Sequence, residues 1–70
     1  MKTIEFNAIE FGNAHEAIQW TYASGRGEAV QIGGGHYVME KGEAERLAAA
    51  DVEFAYQYDH NGQIIAIPVN

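Results

Sequence analysis

Apolar and polar positions alternate most regularly near the end of the chain. Val52 to Tyr58 and Gln63 to Val69 are two such runs, parted by Asp59-His60-Asn61-Gly62. Asn-Gly between alternating runs predicts a β-hairpin, because a type I′ turn needs φ > 0 at both central residues. With Asn61-Gly62 as the loop, His60 faces Gln63, Tyr58 faces Ile65, Tyr56 faces Ile67 and Phe54 faces Val69. The last three pairs set rings against aliphatic side chains, worth roughly 0.2–1 kcal/mol each. The other side pairs Asp59 with Ile64, Gln57 with Ala66 and Ala55 with Pro68, and is more polar. Pro68 has no N–H and falls at a non-bonded pair, so Gln63 to Val69 is expected at a sheet edge.

Upstream, Lys2 to Phe6 alternates and predicts a strand; over Asn7 to Gly12 either Ile9 and Phe11 extend it or a loop buries these two side chains. Asn13 followed three residues later by Glu16 has the spacing of a helix N-terminus. From there Ala14, Ala17, Ile18, Trp20, Thr21 and Tyr22 share one arc at helical period, and the helix is expected to stop at Ser24-Gly25. Glu28 to Ile32 reads as a second strand and His36 to Glu40 as a third, joined through Gly33-Gly34-Gly35. A Gly34-Gly35 loop pairs Ile32 with Tyr37 and Val30 with Met39. A three-residue loop pairs Ile32 with His36 and Val30 with Val38. The first is preferred because it sets apolar against apolar. Lys41-Gly42 breaks the strand, and Glu43 to about Ala50 forms the second helix, with Ala44, Leu47 and Ala48 as a narrow apolar stripe.

The element order is therefore β-α-β-β-α-β-β, a single small α+β domain over residues 1–70 with a mostly antiparallel sheet and two helices on one face. Its first six elements match a ferredoxin-like arrangement. Right-handed crossovers would then give strand order 4-1-3-2, with the fifth strand added outside the fourth. A competing layout is two successive helix-hairpin units, Asn13–Glu40 and Gly42–Val69, which the shortness of the second helix favours.

Composition narrows the function classes. A 47% hydrophobic fraction belongs to a folded chain. There is no cysteine, which removes disulfides, thiolate chemistry and cysteine zinc sites. No basic start leads into an apolar stretch, so no signal peptide is expected, and no apolar run nears the ~20 residues of a membrane span. A cytoplasmic protein is expected. Net charge is −6, with only Lys2, Arg26, Lys41 and Arg46 as cations. Nucleic-acid binding needs a basic face to displace counterions, so no nucleic acid is expected as partner.

Candidate chemistry is sparse. Gly33-Gly34-Gly35 leads into a strand, whereas a phosphate loop leads into a helix N-terminus. His15, His36 and His60 have no ligand spacing, so no metal, cofactor or enzymatic role is expected. Trp20, Tyr22, Tyr37, Tyr56 and Tyr58 are expected in the core, with an exposed aromatic cluster as the functional alternative. The reading is a protein-interaction module whose partner is another protein or a second copy of itself. Its candidate surface is Gln57, Asp59, His60, Gln63 and Tyr37. A small-ligand-binding domain, with a groove between helices and sheet, is one alternative.

A second alternative comes from Met1-Lys2-Thr3-Ile4, the helix after it, Gly27-Glu28-Ala29-Val30-Gln31-Ile32, Tyr37-Val38-Met39, and the helix carrying Glu43, Glu45 and Leu47. In this layout the first fifty residues resemble the N-terminal domain of Phd/YefM antitoxins. That resemblance implies a small transcriptional regulator. Two features depart from it. The helix from Asn13 carries no Arg or Lys for operator contacts, and a hairpin stands where a toxin-wrapping segment would follow.

Overall fold

The computed structural model describes residues 5–70. They form β1 (Ile9–Phe11), α1 (Ala14–Ser24), β2 (Glu28–Ile32), β3 (Gly35–Met39), α2 (Lys41–Ala49), β4 (Phe54–His60) and β5 (Gln63–Val69). The α+β class and the element order are those expected. Of the strand expected over Lys2–Phe6, Lys2, Thr3 and Ile4 lie outside the described residues, while Glu5 and Phe6 are not in a strand. Among the described residues the first strand is Ile9–Phe11.

All five strands lie in one antiparallel sheet of order β1-β3-β2-β4-β5. The ferredoxin-like order is therefore wrong, and the layout of two helix-hairpin units is the one adopted. Each helix leads into its own hairpin, β2–β3 after α1 and β4–β5 after α2. The hairpins join edge to edge where Val30 pairs with Tyr56 and Gln31 with Ala55. No parallel crossover is needed, which suits a second helix of only nine residues.

The two helices do not share a face, contrary to expectation. Successive side chains of a strand point to opposite sides. In β2, Ala29 packs with Ala17, Ile18 and Val38 beneath α1, with Phe11 and Trp20 at the margin. Its neighbour Val30 packs with Met39, Ala44, Leu47 and Phe54 beneath α2. The sheet thus separates two small cores, each roofed by one helix. The apolar neighbours Ala29-Val30 and Val38-Met39 exist because the central strands are covered on both sides.

Local signals account for most helix ends. The Asn13 side chain accepts from the Glu16 N–H at 2.9 Å, and the Gly25 N–H donates to the Thr21 carbonyl. α2 begins two residues before the expected Glu43. Glu40 is its N-cap, and the Glu40 carbonyl accepts from the N–H groups of Glu43 and Ala44. Gly42 is the second residue of α2, so its backbone entropy cost falls at the helix end and not in the interior.

The β4–β5 register is the expected one at all its pairs, from His60 with Gln63 to Phe54 with Val69. Asn61 and Gly62 take φ of 53° and 82°, the conformation that favours this dipeptide in a type I′ turn. The Asp59 carboxylate accepts from the Gly62 N–H at 2.9 Å and braces the loop. In β2–β3 neither expected register holds. The loop is Gly33-Gly34, so Ile32 faces Gly35, Val30 faces Tyr37 and Glu28 faces Met39. The slip from the preferred register is two residues, which leaves every side chain on its intended face.

Candidate functional site

The sheet's two edges are unequal. β1 offers three residues and carries Glu10, whereas β5 offers seven, from Gln63 to Val69, none charged. Both sides of β5 are open. Ile65 and Ile67 lie on the α2 side at 42% and 50% exposure, and Ile64 on the α1 side at 47%. α2 reaches only the near end of the hairpin. There Phe54 is buried and Tyr56 half-buried, while Tyr58 further out is 42% exposed. Rings expected wholly in the core therefore grade from covered to open along one strand. The rings of Tyr56 and Tyr58 stack with centroids 6.4 Å apart. Partial burial, then repulsion from Glu28, raises both phenol pKa values above the ordinary 10.0.

The near end of β5 is tied to the end of α2. Asn70 donates through Nδ2 to the carbonyls of Ala48 at 2.8 Å and Val52 at 3.2 Å, tying the strand end to the end of α2. Val69 is only partly exposed and packs against the α2-side core. The register between β2 and β4 is confined to two residue pairs, and beyond it β4 and β5 continue as a two-stranded ribbon. On the α1 side the ribbon is met by Tyr22, itself 59% exposed, whose hydroxyl donates to the Asp59 carbonyl at 3.4 Å.

The residues singled out from the sequence separate into different settings. Gln57 is buried on the α1 side. Its Oε1 is 3.2 Å from His36 Nδ1, its Nε2 donates to Gln31 Oε1 at 3.3 Å, and Gln31 Nε2 donates to the Gly33 carbonyl at 3.4 Å. That chain makes Gln57 a structural polar group. Asp59 serves the turn. His60 and Gln63 flank the loop, exposed on the α2 side. Tyr37 lies on β3, an interior strand beside the β1 edge, and is edge-on to Phe6 at 5.2 Å. The residues missed are Ile64, Ile65 and Ile67. Their signal was present in Pro68, since an edge strand with an apolar residue on each side has no second neighbour to cover it.

Shallow clefts lie elsewhere among the described residues. One of about 380 Å³ runs between the end of α1 and β4, walled by Ile18, Tyr22, Ala29, Gln57 and Tyr58. Another, about 330 Å³, lies by Ile9, Trp20 and Val38. The third, about 610 Å³, is polar and closes around Glu43. There the Asn7 N–H donates to Glu43 Oε2 at 2.6 Å, Arg46 Nε to Glu43 Oε1 at 2.7 Å, and Arg46 Nη2 to the Glu5 carbonyl at 2.6 Å. The bond from Arg46, then that from Asn7, holds the Glu43 carboxyl at about 2, below its ordinary 4.5. This cluster pins the segment before β1 to α2. Arg26 is likewise paired, with Glu40 at 2.9 Å. Among the described residues, no group of three or more His, Asp or Glu is placed to hold a metal ion, and no helix is long and apolar enough to cross a membrane.

Comparison of the chain with family models, with curated proteins and with solved structures returns no match.

Proposed function

We propose that this chain is a protein-interaction module whose contact element is the outer edge and exposed ribbon of β5. One observation carries the reading: a seven-residue edge strand, uncharged and open on both sides, in a chain of net charge −6. Soluble proteins blunt exposed edges with charge, shortness or bulges, because the unpaired backbone recruits other strands. β1 is guarded by its shortness and by Glu10, whereas β5 has only Pro68, close to the end tied to α2. Strand addition supplies main-chain bonds along the edge, while alternate side-chain positions supply selectivity. Tyr58, Ile65 and Ile67 would supply the apolar contacts. The antitoxin-like alternative gains nothing from the charge pattern, since the arginines at 26 and 46 are both engaged by glutamates.

The test is an NMR titration of the isotope-labelled chain with a strand-forming peptide unrelated to its own sequence, alternating valine and threonine between flanking lysines. Shifts concentrated at the amides of Ile64 and Ala66 are expected. Their absence at millimolar peptide, or shifts centred on β1 or the clefts, would overturn the reading.

A further inference from the structure

We infer that the occupant of the β5 edge is a second copy of this chain, paired antiparallel about a two-fold axis at Ile65. The inference rests on the interaction-module reading and adds the partner and the register. Backbone direction sets the register. Beside a two-residue loop the flanking pair, His60 with Gln63, exchanges both backbone bonds, and bonded and non-bonded pairs alternate from there. Gln63, Ile65, Ile67 and Val69 therefore direct their N–H and C=O groups toward β4. Ile64 and Ala66 direct both groups outward, and Pro68 directs out a carbonyl alone.

An axis at Ile65 sets Ile64 of each copy opposite Ala66 of the other, so every outward donor on these residues meets an acceptor. An axis at Ala66 sets Ile64 opposite Pro68 and loses a donor on each side. An axis at Ile64 sets Ala66 opposite Gly62, whose N–H is already held by Asp59. The side chains agree with the first choice. Ile65 would meet Ile65 of the second copy, flanked on either side by the Tyr58 that each faces in its own hairpin. Four apolar side chains then form one row across the joined sheets, covering residues now exposed.

The self-complementary backbone register and the closure it allows select a second copy as the occupant. Two chains of net charge −6 repel, and β5 is a strip along which they meet without bringing acids together. The alternative of β5 on β1 would propagate without closing, and β1 offers only three residues and Glu10. A two-fold pairing closes on itself.

The chain has no cysteine, so Ile65→Cys places a single thiol on each copy. At a non-bonded antiparallel pair the Cα atoms lie ~4.5 Å apart, inside the ~4.4–6.8 Å range of disulfides. Ile64→Cys and Ala66→Cys would meet their own counterparts only diagonally, ~7–8 Å apart. Under mild oxidation, Ile65→Cys is expected to form the linked dimer at least tenfold faster than either control, and light scattering of the unsubstituted chain should show mass rising toward the dimer with concentration. A dimer mass with faster linking at position 64 or 66 overturns the register. A monomer mass at every concentration, with equal linking at all three positions, overturns the self-pairing. In both cases the peptide titration above still decides the module reading independently. Growth beyond the dimer overturns the closed two-fold arrangement.

Discussion

Leu47→Ala combined with Ile18→Val tests whether the sheet divides two cores. Leu47 is fully buried and, with Ala44, anchors α2 on its side of the sheet. Ile18 is buried beneath α1 on the other side, and the two clusters share no member. Truncating a buried leucine to alanine costs about 2–5 kcal/mol, and isoleucine to valine about 0.5–1.5 kcal/mol. A chain of 70 residues has a total stability of roughly 3.5–10 kcal/mol. The leucine change alone therefore removes a large part of it. Neighbouring core residues couple, whereas separated ones add to within ~0.5 kcal/mol. The double variant should equal the sum of the single ones. The assay is urea unfolding at low protein concentration, followed by far-UV circular dichroism and by the fluorescence of Trp20, which sits at the margin of the α1-side core. Coupling well above ~0.5 kcal/mol would mean that both residues share one core. A loss below about 1 kcal/mol for Leu47→Ala would mean that α2 is not held as described.

Other expectations follow from single sites. The Glu43 carboxyl has a folded-state pKa of about 2 against 4.5, so its contribution is present above 4.5 and is lost as pH falls toward 2. Glu43→Gln should flatten that acid limb in a pH series of urea midpoints, and an unchanged limb would refute the assignment. At Gly27, φ is 88° and an added Cβ would stand 2.7 Å from Val38 Cγ1. Gly27→Ala should therefore cost about 1–3 kcal/mol by urea unfolding, and a neutral result would count against the close approach. Asp51 holds a φ of 61° just past α2. Asp51→Gly relieves that conformation and should raise stability by about 0.5–1 kcal/mol in thermal melts, with no gain as the contrary outcome.

What the sequence disclosed and what it withheld divide by range. Asn61-Gly62 has one good conformation and set the β4–β5 register at every pair. Asn13 and Ser24-Gly25 marked the ends of α1 in the same local way. Gly33-Gly34-Gly35 contains three residues of equal freedom, so it could not choose its own loop. The strand order depends on Val30 meeting Tyr56 and Tyr37 meeting Glu10, contacts between distant segments that leave no local mark. The placement of the helices on opposite faces did leave one. Ala29-Val30 and Val38-Met39 are adjacent apolar pairs, the mark of strands covered on both sides, and strict alternation was the wrong pattern to seek there. The candidate surface was drawn from polar residues near a turn. Gln57 and Asp59 proved to be occupied within the fold, and the open apolar residues lay one strand further out.

Ala29 and Val30 stand side by side in β2 yet belong to separate layers. The strand that carries them is also hydrogen-bonded along both margins, to β3 and to β4. No direction is left in which a change at these positions goes unfelt, because whatever relieves one layer presses on the other. Drift among descendants of this chain should therefore be slowest at this partition and fastest at exposed helix positions such as Gln19 and Ala23.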